Sequence, residues 1–518
     1  MTASNRVIIN TAILYGRMLI TVGISLYSTR LILNALGKTD FGIFQLVGGV
    51  IAMLAFLNNA LATSTQRFLS FHQGKNDLEK QKKIFTNSLM LHIILGLIIV
   101  FSLMSLESVL FDRFLNISED RIYAAKVVYK TMLFSLLFGM IKVPFVGSLV
   151  ANENMIWVAI VNFLETLLKL VIALFLITLN SDRLIIYSIL IAALSFITFL
   201  LYTVYCFRKY NEVTFENLFK IEYQQIKELS SFAGWNLFGS LCVLGRTQGL
   251  AVLLNLFFGT VINAAYGIAN QVNSQINFFS STMLRALNPQ IMKSEGVGDR
   301  NRMLKLSMIA SKFGFFLFAI FAVPFIFEMS AILTLWLKNV PEYTVIFCQL
   351  VLTGALINQL TIGLQSAIQA TGKIKVYQIV VGSFLLLNLP VSYLLLKLQY
   401  PAYSVFISYC FIEAIACSFR LFFLKKQAGL SITEYNKRVL LKILIPLVLI
   451  VGCCFFIKEF FDFQYRMFVT IISAAISFAL AIYFLGLMQD EKVLINTFFL
   501  KLYNKLFISI SKKNKSTS

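Results

Sequence analysis

The chain has 518 residues, of which 58% are hydrophobic and 13% are charged, and its formal net charge is +21. A soluble protein carries about twice this fraction of charged residues, and apolar runs of about 18 or more residues recur along the whole chain. The composition therefore excludes a soluble globular protein and indicates a polytopic α-helical membrane protein. It also excludes a transmembrane β-barrel, because strands of about ten alternating residues are absent.

The hydrophobic segments, taken in chain order, predict about 14 transmembrane helices. Placing the N-terminus in the cytoplasm puts roughly 26 Lys and Arg residues in cytoplasmic loops and tails and roughly 8 outside, as the positive-inside rule requires. The basic excess is therefore mainly a signal of topology, with both termini cytoplasmic. We expect no nucleic-acid partner.

The sequence repeats itself once, with an offset of about 224 residues. Gln66 reappears as Gln290, and Gly37, which precedes the second span, reappears as Gly259. Two hydrophobic halves in the same order and orientation are the layout of a transporter whose site lies between the halves. We therefore predict an all-α membrane protein with two six-helix lobes related by the repeat, followed by two extra C-terminal helices.

The predicted boundaries follow from the alternation of apolar and polar segments. They are an N-terminal lobe over residues 1–206, a cytoplasmic amphipathic linker over 207–230, a C-terminal lobe over 231–424, two additional spans over 425–487 and a basic cytoplasmic tail over 488–518. In the linker, apolar residues interleave with Glu and Lys, which is typical of a helix that lies on the membrane surface.

Three basic residues lie inside predicted spans, where a charge is costly and usually faces a cavity or a partner. Arg17 lies roughly 10 Å into the first span. Arg246 lies near the middle of span seven, and Lys142 immediately precedes the Val143-Pro144 pair in span four. Together they predict an anion site between the lobes, because guanidinium groups bind phosphate oxygens in a fork geometry. Alternatively, each caps a helix end or pairs with a carboxylate of its own half.

Arg30 and Arg285 are two further candidates for substrate binding. Both lie within about a turn of the end of a predicted span. Their side chains can also extend to the lipid headgroups, which is the alternative explanation for their positions.

Span eight carries asparagines that share one face of the helix. They are Asn263, Asn270, Asn273 and Asn277, at intervals that place them within roughly an 80° arc. Such a stripe of amides suits a hydrated cavity and hydroxyl-rich ligands such as sugars. Hydrogen bonding between helices is the alternative, since it also draws amides into membranes.

Two carboxylates inside spans are candidates for coupling transport to an ion. Glu165 precedes Lys169 by four residues, so the two can pair on one helix face. Glu413, near the middle of span twelve, has no obvious local partner. Both a proton or Na⁺ site and a structural ion pair fit Glu413.

No arrangement of residues indicates an enzyme. His72 and His92 have no carboxylate or nucleophile at a useful spacing, and no P-loop motif is present. The seven cysteines show neither a disulfide framework nor a metal-ligand pattern. We therefore expect no catalytic activity, no metal and no cofactor.

Short motifs along the chain carry a resemblance to a known family. They are Asn5-Arg6, Tyr15-Gly16-Arg17, Leu36-Gly37, Asp40-Phe41-Gly42-Ile43, Thr65-Gln66-Arg67, Asn288-Pro289-Gln290 and Ala370-Thr371-Gly372-Lys373. The chain thereby resembles bacterial O-antigen and polysaccharide flippases, the polysaccharide-transporter branch of the MATE-like multidrug/oligosaccharidyl-lipid/polysaccharide exporter superfamily. The resemblance implies a two-lobed core with a cationic central cavity, onto which Arg17, Lys142 and Arg246 map.

The resemblance also implies a function, which is to move undecaprenyl-diphosphate-linked oligosaccharide from the cytoplasmic to the periplasmic leaflet of the bacterial inner membrane. The oligosaccharide would be an O-antigen, capsule or exopolysaccharide repeat unit. The expected partners are this glycolipid, membrane lipids, H⁺ or Na⁺, a glycan polymerase and glycosyltransferases.

Three alternatives remain open at this point. A MATE-type multidrug/cation antiporter would be expected to have an acidic, aromatic pocket, whereas the deep charges here are positive. A lipid II flippase is distinguished by the lethality of its loss. A polytopic glycan polymerase or ligase usually needs large periplasmic loops, which this chain lacks.

Overall fold

The computed structural model describes residues 3–52, 55–111, 117–215, 222–463, 465–493 and 496, with side chains from residue 21 onward except at 22, 26, 38, 50, 52, 55 and 56. Nearly all of these residues are helical. The helices are α1 (Ala3–Ala52), α2 (Ala55–Gly74), α3 (Leu78–Ser105), α4 (Glu119–Ala151), α5 (Met155–Ile177), α6 (Arg183–Lys209), α7 (Tyr223–Phe258), α8 (Thr260–Val297), α9 (Arg300–Leu337), α10 (Thr344–Gln359), α11 (Ile362–Thr371), α12 (Lys375–Lys397), α13 (Ser404–Ala428), α14 (Ile432–Phe460) and α15 (Arg466–Gly486).

Within the described ranges, 10 helices are long and apolar enough to cross a membrane. The number becomes 11 if α10 and α11, which meet at a bend of 44°, form one broken span. The chain is therefore a multi-pass membrane protein. The predicted number of about 14 spans remains a prediction.

The repeat is visible at two glycines that interrupt long helices. Gly37 breaks α1 with φ 78° and ψ 170°, and Gly259 separates α7 from α8 with φ 79° and ψ −168°. This region of backbone space is essentially open only to glycine. The same sharp turn thus follows the first helix of each half, as the pairing of Gly37 with Gly259 predicts.

Following the predicted boundaries, we call helices α1 to α6 the N-terminal lobe and helices α7 to α13 the C-terminal lobe. Most buried apolar residues cluster within one lobe or the other, although Leu229 of α7 belongs to a cluster of the N-terminal lobe, and Ala233 of α7 packs with Leu61 and Met140. The lobes meet mainly where α2 packs against α7 and α8. Two surfaces that can separate along a few helices suit a protein whose halves move relative to each other.

We call the end of the bundle that holds the turns near residues 75, 153, 210–222, 298, 372–374 and 429 the basic end. The opposite end holds the turns near residues 37, 118, 180, 259, 340 and 400. Lys and Arg crowd the basic end, which the positive-inside rule predicts to be cytoplasmic.

Two glycines allow α2 and α8 to cross closely at the basic end. A Cβ atom at Gly74 would collide with the backbone oxygen of Lys293, and a Cβ atom at Gly296 would collide with the backbone oxygen of Phe71. The two contacts are reciprocal, since each glycine of one lobe meets the backbone of the other lobe. The lobes are therefore in direct backbone contact at this end.

A hydrogen bond and an ion pair add to the contact between the lobes at the basic end. Ser64 of α2 donates to the backbone oxygen of Leu229 over 3.0 Å, and Lys293 of α8 pairs with Glu153 over 2.7 Å. Both bonds join one lobe to the other. Since they lie at the basic end or just inside it, the structure is closed there.

Helices α14 and α15 pack against each other and against α9. Buried ion pairs fix this appendage near both ends of α9. Lys312, which is 1% exposed, donates to Glu491 over 2.5 Å near the basic end. Glu328, which is 2% exposed, accepts hydrogen bonds from Arg466 over 3.2 Å and from Thr470 over 3.0 Å near the opposite end.

A second, more exposed pair lies beside Lys312. Lys305 forms an ion pair with Asp490 over 2.5 Å, and Arg438 lies 3.7 Å from the same carboxylate. The hydrogen bond from Lys305 holds the pKa of the Asp490 carboxyl below its usual value.

The predicted linker and tail are described only in part. Helix α7 begins at Tyr223, so the end of the segment predicted as an amphipathic linker consists of the first turns of a long helix. Residues 216–221 lie outside the described residues, as do 497–518, which make up most of the predicted tail.

Candidate functional site

A cavity of about 630 Å³ lies in the C-terminal lobe and faces α2 of the other lobe. Helices α7, α8, α10, α11, α12 and α13 form its walls. The N-terminal lobe contributes Asn59, Ala60 and Thr63. Amides and hydroxyls are frequent in the lining, which makes the cavity polar at the depth of the predicted bilayer.

Three members of the asparagine stripe line this cavity, namely Asn270, Asn273 and Asn277. Asn263 is not among the lining residues. Asn277 accepts a hydrogen bond from Gln359 over 3.0 Å, and Oδ1 of Asn273 is buried without a hydrogen-bond partner. Part of the stripe therefore forms hydrogen bonds between helices, and part forms a polar wall of the cavity.

A cluster of three charged residues lies in the wall of the same cavity. Nη1 of Arg246 donates to Oε2 of Glu413 over 3.0 Å, and Nη2 of Arg420 donates to Oε1 over 3.2 Å. Asn358 also donates to Oε1 of the carboxylate. The exposed fractions are 7% for Arg246, 3% for Arg420 and 1% for Glu413, so all three charges are buried.

The charged cluster carries an excess of positive charge, since two guanidinium groups face one carboxylate. Arg246 is the more exposed of the two arginines, at 7% against 3% for Arg420. Its guanidinium carbon lies 4.6 Å from the ring centre of Tyr409, which also lines the cavity. Among the described residues only Glu413 accepts a hydrogen bond from Arg246, so most of its N–H groups stay available.

The structure supplies the partner that sequence reasoning did not find for Glu413. Arg246 lies 167 positions earlier and on another helix, so no local pattern connects the two. Arg420 was missed as well, although its spacing of seven residues from Glu413 places both on one face of α13. Arg246 pairs with a carboxylate of its own half, which is the alternative explanation given for it, and it also lines a cavity with net positive charge. An anion site at Arg246 stays a prediction.

A second group of cavity residues that sequence reasoning missed consists of amides. Oδ1 of Asn236 accepts hydrogen bonds from Gln369 over 3.3 Å and from Gln378 over 3.2 Å. All three side chains line the cavity on the side of the basic end. These amides are spread over three helices, so they form no periodic pattern in the sequence.

Lys142, one of the cationic candidates of the N-terminal lobe, does not join the charged cluster. Arg17 lies in α1, and its side chain is outside the described residues. Lys142 lies at the break of α4 before Pro144, and it is not among the residues that line the cavity.

The remaining candidates also lie away from the cavity. Glu165 pairs with Lys169 over 2.7 Å, as their spacing predicts. Arg30 and Arg285 are exposed, and neither lines the cavity. Exposed arginine side chains can extend to lipid headgroups.

The cavity therefore combines two chemistries. Its charged cluster has the charge to attract an anion, and its amides can offer donors and acceptors to hydroxyl groups. No group of three or more His, Cys, Asp or Glu side chains that could hold a metal occurs in the part of the chain that the structure describes.

Comparison with known protein families gives one match over more than half of the chain. The family model described as polysaccharide biosynthesis protein matches residues 7–295. No curated protein matches the sequence significantly.

Solved structures of transporters share the fold. A MATE transporter in a bent conformation superposes with a TM-score of 0.71 at 15% identity, over 84% of this chain and 96% of that chain. An outward-facing multidrug resistance MATE family transporter of the MOP superfamily gives a TM-score of 0.67 at 14% identity, over 84% and 97%.

A third similar structure is a MOP superfamily transporter from Pyrococcus furiosus, described as having a binding pocket of reversed polarity that suggests a different function. It gives a TM-score of 0.67 at 15% identity, over 83% of this chain and 96% of that chain. Identities this low show the fold alone, which is the fold of MATE transporters. With the family model matched over residues 7–295, the chain belongs to the polysaccharide biosynthesis protein family.

Proposed function

We propose that this protein is a flippase for lipid-linked oligosaccharides that carry a diphosphate, such as an undecaprenyl-diphosphate-linked repeat unit of O-antigen or capsule. The observation that carries the proposal is the excess positive charge of Arg246, Glu413 and Arg420 beside a wall of amides. The diphosphate would lie near Arg246, and the first sugars would lie along the asparagines of α8.

The charge of the cavity favours this substrate class over cations. Glu413 is neutralised by two arginines, so no free carboxylate of the charged cluster attracts a cationic drug. In the transporter from Pyrococcus furiosus, a reversed pocket polarity is taken to suggest a different function. By the same logic, a net cationic pocket argues against the multidrug alternative.

The direction of transport follows from topology. The basic end would face the cytoplasm of a bacterial inner-membrane protein with both termini inside, in agreement with the positive-inside rule. Because the lobes touch at this end, the described state would be the one closed to the cytoplasm. Rocking of the lobes about the cavity would open the basic end and admit the glycolipid from the inner leaflet.

Such a cycle needs a bias, since a ligand shifts a conformational equilibrium only by its differential affinity for the two states. An H⁺ or Na⁺ gradient, or removal of the product by a glycan polymerase, would supply it. Glu413 remains the carboxylate we propose for ion coupling, because its protonation would free both arginines. Glu165, paired with Lys169, is the second candidate.

Two alternatives stay testable. A MATE-type multidrug/cation antiporter would change the drug resistance of a deletion strain without changing its glycolipids. A lipid II flippase would be essential for growth. Glycosyltransferases that build the glycolipid complete the partners of the proposed function.

The experiment is to measure the sidedness of lipid-linked oligosaccharides in a deletion strain with a membrane-impermeant probe. Accumulation on the cytoplasmic leaflet, together with loss of surface polysaccharide, would support the flippase. An unchanged glycolipid pool with altered drug resistance would refute it in favour of the antiporter.

A further inference from the structure

Two motifs that the central cavity does not use meet at the basic end. Arg67 belongs to α2 of the N-terminal lobe, and the motif from Ala370 to Lys373 covers the end of α11 and the start of the loop to α12 in the C-terminal lobe. Nη2 of Arg67 donates to the backbone oxygen of Ala370 over 3.0 Å, although 303 residues separate them. The bond joins the two lobes.

The surroundings of Arg67 are apolar and leave it short of acceptors. Its side chain is 7% exposed, and its guanidinium carbon lies 4.6, 4.8 and 5.5 Å from the ring centres of Phe68, Phe71 and Phe232. Nε of Arg67 is buried without a hydrogen-bond partner. A buried guanidinium with an unused N–H group is costly, so its position here needs a physical explanation.

Gly372 shapes the loop around this guanidinium. It has φ +77°, and a Cβ atom there would lie 2.6 Å from Nη2 of Arg67. The left-handed conformation favours glycine, and a side chain there would also displace the guanidinium. The loop therefore lies directly against the arginine.

Arg67 lines a cavity of about 860 Å³ that opens at the basic end. Lys227, Lys373 and Lys375 line it as well, against the single carboxylate of Glu228. Aromatic side chains form another part of the wall, and Nζ of Lys375 lies 5.3 Å from the ring centre of Trp235. Four cationic side chains thus line the cavity together with one carboxylate and the ring of Trp235.

The acids closest to Arg67 do not neutralise it. Glu228 and Glu295 act on it electrostatically, yet neither forms an ion pair with it among the described residues. Glu295 instead pairs with Arg300 over 3.3 Å. The cationic excess of this cavity is therefore available to a ligand.

Two helix N-termini add to the attraction for anions. The cavity is lined by Tyr223 and Gln224, which begin α7, and by Lys375 and Val376, which begin α12. Neither helix has a side-chain cap. The first N–H groups of an uncapped helix lack intrahelical acceptors and favour negative charge.

A polar route leads inward from this cavity. Gln66 and Gln369, the chain neighbours of the bonded residues Arg67 and Ala370, line a smaller cavity of about 260 Å³. That cavity shares Thr63, Gln365 and Gln369 with the central cavity. The bond from Arg67 to Ala370 thus lies between the outer cavity and the route to the charged cluster.

We infer that the cavity around Arg67 is a docking site for a diphosphate group at the basic end, separate from the central cavity. Arg67, Lys373 and Lys375 bind the phosphate oxygens, and Trp235 packs against the first sugar. The identification of the ligand as the diphosphate of a lipid-linked glycan rests on the proposed function. An anion that takes up the N–H groups of Arg67 also competes with its bond to Ala370, so docking favours separation of the lobes at this end.

The test uses the full-length protein in phosphatidylcholine nanodiscs and inorganic pyrophosphate as the probe. All variants carry Arg246→Ala, which removes the central contribution. We expect Lys373→Ala/Lys375→Ala to weaken pyrophosphate binding by about tenfold or more, the factor that corresponds to 1.4 kcal/mol. The matched control, Lys425→Ala/Lys426→Ala, removes two exposed lysines of the basic end that do not line the cavity, and we expect it to bind as before.

Equal affinity in the lysine variant and the control would overturn the inference. So would the loss of all pyrophosphate binding on Arg246→Ala alone, because the anion would then bind only in the central cavity. Folding is monitored by size-exclusion chromatography, and the exposed positions of both lysine pairs make misfolding an unsuitable explanation for a difference between them.

A competition experiment separates the sources of the phosphate. Displacement of pyrophosphate by undecaprenyl diphosphate in the nanodisc, but not by an equal mole fraction of phosphatidylglycerol, supports the assignment. Displacement by phosphatidylglycerol alone refutes it in favour of a phospholipid headgroup.

The two proposals fail separately. Weakened binding in Lys373→Ala/Lys375→Ala together with an unchanged glycolipid pool in the deletion strain would refute the flippase and leave the phosphate site intact. Unaltered binding together with glycolipid on the cytoplasmic leaflet would refute the docking site and leave the flippase intact.

Discussion

Substitution of Arg246 by alanine should remove the attraction of the central cavity for anions and leave the C-terminal lobe folded. The side chain loses one bond of 3.0 Å to Glu413, but that carboxylate keeps Arg420 at 3.2 Å and Asn358 as donors. Glu413 is therefore not left unpaired, which is the situation that makes the loss of a buried partner so destabilising.

The magnitude follows from the charges. The cluster changes from a net charge of +1, with two arginines and one glutamate, to neutral. A hydrogen bond to a charged group contributes about 1.5–3 kcal/mol, so affinity for the diphosphate should fall roughly 10- to 150-fold. At limiting substrate concentration the initial rate of translocation should fall by the same factor.

Variants that change the net charge of the cluster in steps test whether this charge attracts the substrate. Glu413→Gln raises the cluster to +2, and the double variant Arg246→Ala/Glu413→Gln returns it to +1 through Arg420 alone. In nanodiscs, we expect the double variant to bind a fluorescent prenyl-diphosphate-linked oligosaccharide about tenfold more tightly than Arg246→Ala, since binding does not require ion coupling through Glu413. If Arg246→Ala binds as tightly as the wild type, or the double variant binds no more tightly than Arg246→Ala, the cluster does not attract the substrate.

Three further outcomes test the fold. Gly259→Ala should lower the free energy of unfolding by about 1–3 kcal/mol because of its positive φ, whereas Gly267→Ala, in open space, should not; equal thermal midpoints would contradict this. Glu491→Ala should lower the free energy of unfolding by about 3–5 kcal/mol, because it leaves Lys312 buried without its carboxylate. Lys312→Met/Glu491→Ala should lower it much less, and equal losses in the two variants would contradict this. Gly296→Val should hold the basic end open, with longer distances between spin labels on the two lobes; an unchanged distance distribution would refute the closure.

The sequence predicts the parts of the fold that depend on local composition and on the repeat. The long apolar helices follow from hydropathy, and the sharp turns at Gly37 and Gly259 recur at paired positions. The asparagine stripe of α8 follows from helical periodicity, and three of its four members line the cavity.

The interior of the site depends on contacts between distant helices, which leave no local pattern. The partner of Glu413 lies 167 positions away, and Asn236 meets Gln378 across 142 positions. Lys312 was missed because the carboxylate that it pairs with is on a segment 179 residues later. The same holds for Arg67 and Ala370, whose motifs were noticed without any reason to place them together.

The most direct test of the central claim is the movement of a diphosphate-linked oligosaccharide across a bilayer by the purified protein alone. A fluorescent glycolipid is placed in proteoliposomes, and a membrane-impermeant quencher reports which leaflet it occupies. We predict that the wild type equilibrates the glycolipid between leaflets and that Arg246→Ala does so at least about tenfold more slowly at limiting substrate. Wild-type liposomes that move the glycolipid no faster than protein-free liposomes would contradict the account.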